Sequence, residues 1–454
     1  MYKQSVWKKY NGNYKEIMDF AEDYKDFISF GKTERLCVKK TLQILVEKGF
    51  VDVETKKDLK PGDKVYSVNK NKNVAIFVIG KKPFNEGLRI LGAHIDSPRM
   101  DLKQNPLYEK EGFALLDTHY YGGIKKYQWV TIPLALHGVV CKKDGSTIEV
   151  SIGEEPNDPV LGIGDLLIHL SADQMQKTAA KLIEGEDLDV TVGSIPELNG
   201  DKVSVKQNVL RILKEKYDFE EEDFLSAEIE VVPAGQARDY GLDRSMVAGY
   251  GHDDRSCAYT SLRAVVDTTV QEYTTCCILV DKEEIGSVGA TGMESSFYED
   301  ALREICSLLG NDSITALGRV FKNSKMLSSD VTAAYDPLYA DVSNKRCETF
   351  FNRGVSFCKY TGARGKSGSN DASCEYIAEL RKIMDENDVK FQITEMGKVD
   401  AGGGGTIAYI LANKNVSVID CGVGVLSMHA PWEVTSKSDI YEAYKCYKAF
   451  LKDA

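Results

Sequence analysis

The sequence predicts an α/β protein with a mixed, largely parallel sheet flanked by helices and a β-rich domain inserted into it. Apolar, strand-like runs alternate with segments of helical periodicity on both sides of a long middle region. Within that region, polar and acidic material separates strand-like runs from one another. We therefore predict a discontinuous α/β domain over 1–99 and 246–454, and an inserted β-rich domain over 100–245.

The N-terminal part predicts two helices, a hairpin and one buried strand. Apolar residues recur at helical spacing from Tyr14 to Phe30, and a second helix is expected to follow. Lys64 to Val78 is typical of a hairpin. The apolar run that starts at Leu88 stops shortly after His94 and Asp96, so these two side chains are expected at the end of a strand.

In the inserted region, Trp129 to Val140 and Ala227 to Val232 are strand-like. After it, the alternation of strands and helices resumes. One helix is expected to be capped by Asn370-Asp371, and the last helix to begin near Asp439. Further strand ends carry polar side chains, namely Asp253 and Asp254, Glu283 and Glu284, Asp330, and His429.

These strand ends predict a metal centre. Open α/β sheets bind ligands at the carboxyl ends of their strands. The converging groups include two imidazoles and several carboxylates but no thiolate, a ligand set that suits zinc, with cobalt or manganese as alternatives. Asp253, Glu284 and Asp330 carry three negative charges, which two divalent ions and a shared hydroxide would balance. We therefore expect two ions roughly 3.5–4 Å apart.

Composition excludes other classes. The formal charge of −12 argues against nucleic acid or an anionic membrane as partner. The sequence has no uninterrupted apolar stretch long enough for a transmembrane helix, and its first residues lack the apolar core of a signal peptide. A cytoplasmic location is therefore expected. The eleven cysteines follow no framework spacing. His119, His137 and His252 are expected to be structural.

Taken together, the motifs resemble those of the aspartyl aminopeptidases and the yeast-type vacuolar aminopeptidase I, which are dizinc exopeptidases. The resemblance covers essentially the whole chain. It rests on five motifs in the family's order, namely Ala93-His94-Ile95-Asp96-Ser97-Pro98, His252-Asp253-Asp254-Arg255, Glu283-Glu284-Ile285-Gly286-Ser287, Ser329-Asp330 and Ser427-Met428-His429.

The resemblance implies a role for each matched residue. The implied roles are a bridging carboxylate for Asp253, ligands of one ion for His94 and Asp330, ligands of the other for Glu284 and His429, the general base for Glu283, and a carboxylate that orients the imidazole of His94 for Asp96. Some family members have Asp-Asn where this chain has Asp253-Asp254, so the choice between these two as bridging ligand stays open.

The resemblance also implies assembly. It suggests dimers formed through the inserted domain and packed into a dodecamer around an enclosed chamber. His169 lies in a segment that resembles one whose histidine reaches a neighbouring subunit's active site. The alternative for this segment is the face of an amphipathic helix.

Removal of N-terminal residues from peptides is the implied activity, with a possible preference for acidic residues. Such a preference needs a cationic pocket, and Lys359 and Lys366 lie where the resemblance places one. Against it, Asp336 after the metal-binding Asp330 would put an acid beside the pocket and repel acidic substrates.

Two other functions remain open on the sequence alone. A related metal-dependent deacylase or carboxypeptidase would use the same centre on a different amide bond, and a metal-binding scaffold protein would have lost catalysis. Gly402 to Gly405 before a helix could bind phosphate, although close backbone approach near the substrate fits the run of glycines better.

Overall fold

The computed structural model describes residues 5–199, 202–311 and 313–454, and its contacts divide the chain into two compact units. Over its described residues, the first unit comprises Met1–Asp96, Ala237–Met428 and Glu433–Ala454. The second comprises Ser97–Gln236 and His429–Trp432. The two breaks, after Asp96 and Gln236, precede the expected boundaries after residues 99 and 245, and the short segment from His429 groups with the second unit. The inserted domain over 100–245 stays a prediction.

The described residues form ten α-helices and twenty-two strands. The helices are α1 (Val6–Tyr10), α2 (Lys15–Phe30), α3 (Glu34–Glu47), α4 (Val205–Tyr217), α5 (His252–Val266), α6 (Phe297–Leu308), α7 (Ala316–Asn323), α8 (Cys374–Glu386), α9 (Ala408–Ala412) and α10 (Lys437–Asp453). The strands are β1 (Val51–Asp52), β2 (Lys64–Asn69), β3 (Asn73–Val78), β4 (Leu88–His94), β5 (Arg99–Lys110), β6 (Phe113–Tyr121), β7 (Leu134–Cys141), β8 (Thr147–Ile152), β9 (Val190–Gly193), β10 (Glu197–Asn199), β11 (Lys202–Ser204), β12 (Ala227–Pro233), β13 (Arg238–Tyr240), β14 (Met246–Gly249), β15 (Thr274–Val280), β16 (Lys325–Ser328), β17 (Thr332–Ala333), β18 (Val355–Cys358), β19 (Phe391–Thr394), β20 (Ser417–Gly422), β21 (Gly424–Leu426) and β22 (Glu433–Ser436).

The first unit is built on a nine-stranded sheet in the order β1-β2-β3-β15-β4-β16-β20-β18-β19. Its central strands β15, β4, β16 and β20 are parallel neighbours. Antiparallel pairs occur farther out, at β2–β3, β3–β15 and β18–β20. The predicted mixed, largely parallel sheet is therefore confirmed. A second sheet of this unit has the order β13-β14-β22-β21-β17.

Both faces of the nine-stranded sheet are covered by helices. Leu91 and Ala93 of β4 belong to a core cluster that includes residues of α2, α5 and α10. Ile90 of the same strand belongs to another cluster, with residues of α6 and α7. Since successive side chains of a strand point to opposite faces, a strand covered on both must be apolar throughout. This explains the uninterrupted apolar runs.

The second unit contains an antiparallel sheet in the order β8-β7-β12-β5-β6-β9, together with the hairpin β10–β11. The strand expected from Trp129 starts later, at Leu134. Thr131 has a positive φ of 61°, which an extended strand cannot continue through. Lys126–Gln128 forms a 3₁₀ turn instead.

The cap predicted for α8 was wrong. The side chain of Ser373 accepts the N–H of Tyr376, so the helix begins after Ser373. Asn370 donates its side-chain amide to the carbonyl of Val418 at 3.0 Å, and the carboxylate of Asp371 lies 3.4 Å from Lys366 Nζ. Both predicted caps are therefore engaged elsewhere.

Among the described helices, none is long and apolar enough to cross a membrane. All eleven cysteines lie in the described part of the chain and are free thiols.

Candidate metal centre and active site

The strand order of the first unit brings the predicted site residues to one edge of its sheet. His94 ends β4, Glu283 follows β15, and Asp330 follows β16. The three strands are adjacent and parallel, with β4 in the middle. Their carboxyl ends therefore open on the same crevice, where α/β sheets bind ligands.

His94 is 1% exposed and held from both ring nitrogens. Its Nδ1 lies 3.1 Å from the carbonyl oxygen of Asp96 and 3.3 Å from Oδ1 of that residue. Its Nε2 lies 3.1 Å from Oδ1 of Asp253. Nδ1 faces the oxygens of Asp96 and Nε2 is directed at the acidic cluster, so a proton on Nδ1 would leave Nε2 as the nitrogen available to a metal.

Asp96 also shapes the turn that follows β15. Its two carboxylate oxygens accept the backbone N–H groups of Glu283 and Glu284, each at 3.1 Å. Those residues begin a single 3₁₀ turn, Glu283–Ile285. One buried carboxylate thus fixes both the imidazole of His94 and the backbone of the two glutamates.

Asp253 and Asp254 lie in the first turn of α5, which follows Gly251, whose φ of 78° is readily adopted by glycine. The peptide bond between the two aspartates is cis. The N–H of Asp253 donates to Oε2 of Glu433 at 3.0 Å. Glu433, at the start of β22 and 1% exposed, was missed by sequence reasoning. The short strand it opens, Glu433–Ser436, has one apolar residue and offers no local pattern that would have singled it out.

Asp330 lies between β16 and β17, close to the end of β20. A Cβ on Gly422 of β20 would lie 1.9 Å from the carbonyl oxygen of Asp330. This distance is far below van der Waals contact, so the approach of the two segments requires glycine at that position.

The acidic and imidazole groups form two sets of potential metal ligands that share one histidine. Ligand atoms of His94, Asp253 and Glu284 lie within 4.8 Å of one another, and so do those of His94, Asp254 and Asp330. Both sets belong to the first unit. Asp253 and Asp254 occur in different sets, so the choice of bridging carboxylate stays a prediction.

The electrostatics of this cluster fit a divalent cation. Burial raises the pKa of Asp254 well above its ordinary value, and the charge of Asp253 raises it further. Burial and the charge of Asp254 do the same for Asp330. Burial opposes protonation of His94, but its bonds to Asp253 and Asp96 outweigh this and raise its pKa. Acids that disfavour one another's ionisation, with an imidazole among them, provide the oxygen and nitrogen donors that zinc prefers.

Glu283 is placed at the rim of the cluster. Its side chain is 16% exposed, and its Oε2 lies 3.9 Å from Nε2 of His94. The neighbouring Glu284, by contrast, belongs to one of the ligand sets. The roles of general base for Glu283 and metal ligand for Glu284 stay predictions.

His429 belongs to the second unit, where its Nδ1 lies 2.8 Å from the carbonyl oxygen of Gly123. Its φ is 65°. Among the described residues, the two ligand sets do not include it. Its predicted role as a ligand therefore rests on the sequence motif.

His169 also lies in the second unit, exposed in the short 3₁₀ turn Ile168–Leu170. The amphipathic helix considered as an alternative is not formed there. Leu167, Ile168 and Leu170 beside it are 54%, 69% and 68% exposed.

A cavity of about 150 Å³ adjoins Asp330. Among the described residues, Lys366 lines this cavity and Lys359 does not. Asp336, expected beside the substrate pocket, is not among the described residues that line this cavity, and its side chain caps a 3₁₀ turn by accepting the N–H of Leu338 at 2.8 Å. The charged lining residues are Asp330, Arg364, Lys366, Glu395, Lys398 and Asp420.

Comparison with known proteins identifies relatives over the whole chain. The sequence profile of the aminopeptidase I zinc metalloproteases (M18) matches residues 27–451. A probable M18 family aminopeptidase 1 of Clostridium acetobutylicum is 55% identical over 456 residues, covering 99% of this chain and 98% of that protein.

Solved structures give the same result. The crystal structure of an M18 family aminopeptidase from Thermotoga maritima matches with a TM-score of 0.97 and 45% identity, and covers 100% of both chains. The dodecamer structure of S. cerevisiae mApe1 shares the fold, with a TM-score of 0.77 and 21% identity over 95% of this chain and 96% of that one.

Proposed function

The chain belongs to the M18 family of zinc aminopeptidases, and from that premise we propose that it removes N-terminal residues from peptides by means of two divalent ions, most simply zinc. The ligands would be Asp253 shared between the ions, His94 and Asp330 on one, and Glu284 and His429 on the other. The assignment of Asp253 is supported by the 3.1 Å between its Oδ1 and Nε2 of His94.

The observation that carries the proposal is the pair of acidic sets around His94. Surface acids also cluster without a metal, but here Asp253 and Asp254 are almost completely buried and Asp330 is half-buried. The charge of Asp253 disfavours ionisation of Asp254, and that of Asp254 disfavours ionisation of Asp330. Burying several like charges is costly unless a cation offsets them. This cost is what distinguishes the centre from an ordinary acidic surface.

Bound ions would supply Lewis acidity to the scissile carbonyl and lower the pKa of water towards 7. The chain's own contribution is the proton transfer. Glu283, at the rim of the cluster, would take a proton from the attacking water and deliver it to the leaving amine. Asp96 holds the backbone of Glu283 and so keeps this carboxylate in place.

Release of N-terminal residues is tested with matched peptides. The purified protein should release the first residue from a peptide with a free amino terminus and leave its N-acetylated twin intact. A chelator should abolish release, and zinc, cobalt or manganese should restore it, with two equivalents bound. Hydrolysis of N-acyl amino acids without N-terminal release would instead favour the deacylase alternative.

A preference for acidic N-terminal residues is supported by the cavity beside Asp330. Its acids are engaged within the chain: Glu395 accepts the hydroxyl of Tyr360 at 2.7 Å, and Asp420 accepts the hydroxyl of Thr406 at 2.6 Å. Lys366 lies 3.6 Å from the centre of the Tyr360 ring, with Asp371 as its only ion-pair partner among the described residues, at 3.4 Å. The exposed ammonium of Lys366 is therefore the group we assign to an acidic side chain.

This preference is measured with a panel of aminoacyl-nitroanilides. We expect Lys366→Met to lower kcat/KM for aspartyl and glutamyl substrates selectively and to leave a leucyl substrate unchanged. Lys359→Met serves as the matched control, since Lys359 does not line the cavity. A wild-type enzyme that prefers neutral substrates would overturn the assignment.

Assembly into dimers and a dodecamer is proposed from the relatives, among which the S. cerevisiae mApe1 structure is described as a dodecamer. The exposed apolar residues around His169 support a role for this segment in subunit contact. Light scattering should report the mass of the assembly. His169→Ala should bind metal normally and lose most of its turnover, and unchanged kinetics would remove the proposed role.

A further inference from the structure

A second cavity, of about 560 Å³, lies along α10 of the first unit. Three lysines of that helix line it, namely Lys445, Lys448 and Lys452, together with Tyr444. Among the described residues that line it, none belongs to the proposed metal centre. The cavity is large enough for a small organic molecule, and its lysines favour an anionic one.

Next to this cavity, one buried carboxylate is shared by several donors. Lys9 Nζ lies 2.9 Å and 3.2 Å from the two carboxylate oxygens of Glu442. The hydroxyl of Tyr10 donates to Oε1 at 2.7 Å, and the N–H of Lys390 donates to Oε2 at 2.6 Å. The side chain of Glu442 is 0% exposed. Its acceptor capacity is therefore used by groups other than Lys445.

Lys445 is the unmatched cation of this arrangement. Its Nζ lies 3.5 Å from the hydroxyl of Tyr10, and within the described chain no carboxylate oxygen is in ion-pair reach of it. The charged groups that face it are Lys9, Glu442 and Asp388. Burial and the neighbouring ammonium of Lys9 both favour the neutral amine, and they lower the pKa of Lys445 to about 8.

We propose that Lys445 is a site of N-acylation by acyl phosphates that enter the cavity along α10. Lys448 and Lys452 attract the anionic reagent. The neutral Nζ attacks the acyl carbon, the carbon–nitrogen bond forms, and the bond from that carbon to the phosphate oxygen breaks. Inorganic phosphate leaves with the electron pair, and the proton lost from nitrogen passes to water. The product is a neutral amide, which removes the positive charge of Lys445 from beside the Lys9 ammonium.

The expected advantage of Lys445 follows from its protonation. At pH 7.5 about a quarter of an amine with a pKa near 8 is neutral, against roughly a thousandth for an ordinary lysine. A less basic amine is also a weaker nucleophile, and its half-buried position limits access. We therefore expect acylation about tenfold faster than at Lys448 or Lys452.

The test uses the folded, metal-loaded enzyme and acetyl phosphate at pH 7.5, with acetylation of each lysine measured by mass spectrometry of its peptides. Lys448 and Lys452 are internal controls on the same helix. The advantage of Lys445 should shrink above pH 9 and vanish in urea. Equal labelling of the three lysines in the folded enzyme, or an advantage that persists in urea, would overturn the proposal.

The Lys9→Met variant separates the two causes of the lowered pKa of Lys445, namely burial and the neighbouring ammonium of Lys9. It removes the neighbouring ammonium and releases Glu442 to pair with Lys445, so labelling of Lys445 should fall towards that of Lys448. Undiminished labelling in a folded variant would show that the lysine pair does not activate Lys445. If the variant fails to fold, the comparison of folded and urea-treated wild-type enzyme still decides the proposal.

Discussion

Buried carboxylates occur in two contrasting settings in the first unit. Asp254 is buried and Asp330 half-buried at the edge of the central strands, and both lie next to other acids. Asp439, in the first turn of α10, is 1% exposed but accepts the N–H groups of Asn352 and Gly354 at 2.7 Å and 2.8 Å. Burial raises the pKa in all three cases, so a raised pKa does not distinguish a site from a scaffold. The partners of the carboxylates distinguish the two settings. Backbone N–H groups satisfy the carboxylate of Asp439, whereas the acids of the cluster would need a cation to offset their charge.

Two buried histidines show the same contrast. Nε2 of His252 lies 3.1 Å from the carbonyl oxygen of Val247, its Nδ1 faces the hydroxyl of Tyr24, and burial lowers its pKa to about 3. His94 is equally buried but has carboxylates at both nitrogens, which raise its pKa. The pKa values of two equally buried histidines thus shift in opposite directions according to the charge of their neighbours.

Replacing a carboxylate of the cluster should have the largest effect. We expect Asp253→Asn to lose bound metal and to leave activity below detection, because it removes the proposed shared ligand. Metal analysis and peptide hydrolysis measure both. Asp254→Asn should retain metal, and Asp439→Asn should retain metal and activity. Metal loss in Asp254→Asn with retention in Asp253→Asn would reverse the assignment of the bridging residue.

Glu283→Gln should separate catalysis from metal binding within the cluster. The amide cannot accept the water's proton, so we expect kcat to fall about 10²–10⁴-fold while metal content stays that of the wild type. Stopped-time peptide assays and metal analysis of the same sample provide the comparison. Near wild-type turnover would rule out Glu283 as the base.

The buried carboxyl group of Asp439 should make the stability of the folded protein depend on pH. Burial raises the pKa of Asp439 to about 7 from an unfolded value of 3.8. The folded state binds this proton more tightly than the unfolded state does. The resulting stabilisation of the folded state is fully present below pH 3.8 and is lost as pH rises through 7. The stability of wild type relative to Asp439→Asn should therefore fall by about 2 kcal/mol between pH 5 and pH 7. Urea unfolding at the two pH values measures it, and a pH-independent difference would contradict the burial argument.

Sequence alone predicted the part of the site that depends on strand ends. His94, Glu283 and Asp330 follow apolar runs, and parallel strands place such ends together whatever their separation in the chain. The contacts that sequence alone did not predict depend on the direction of side chains in turns. The bond from Asp253 to Glu433 joins residues far apart in sequence, and no local pattern specifies it.

The acid of the cavity shows the same limit. Asp336 was expected beside the pocket because it follows Asp330 closely, yet it caps a turn. Glu395, far along the chain, lines the cavity instead and bonds with Tyr360. Proximity in sequence is a poor guide once the chain leaves regular structure, since each turn redirects the following side chains.

Asp96→Asn should have the smallest effect. It tests whether the carboxylate of Asp96, which accepts hydrogen bonds from neighbouring residues, is needed to keep the cluster in position. Asp96 accepts the N–H groups of Glu283 and Glu284 and lies beside Nδ1 of His94. An amide would turn one N–H group towards another, so one of these bonds is lost. We expect metal affinity to fall about 10–100-fold, with kcat largely recovered at saturating zinc. Chelator competition measures the affinity, with Asp439→Asn as control. Wild-type affinity in Asp96→Asn would mean that His94 and the glutamate turn keep their positions without this carboxylate.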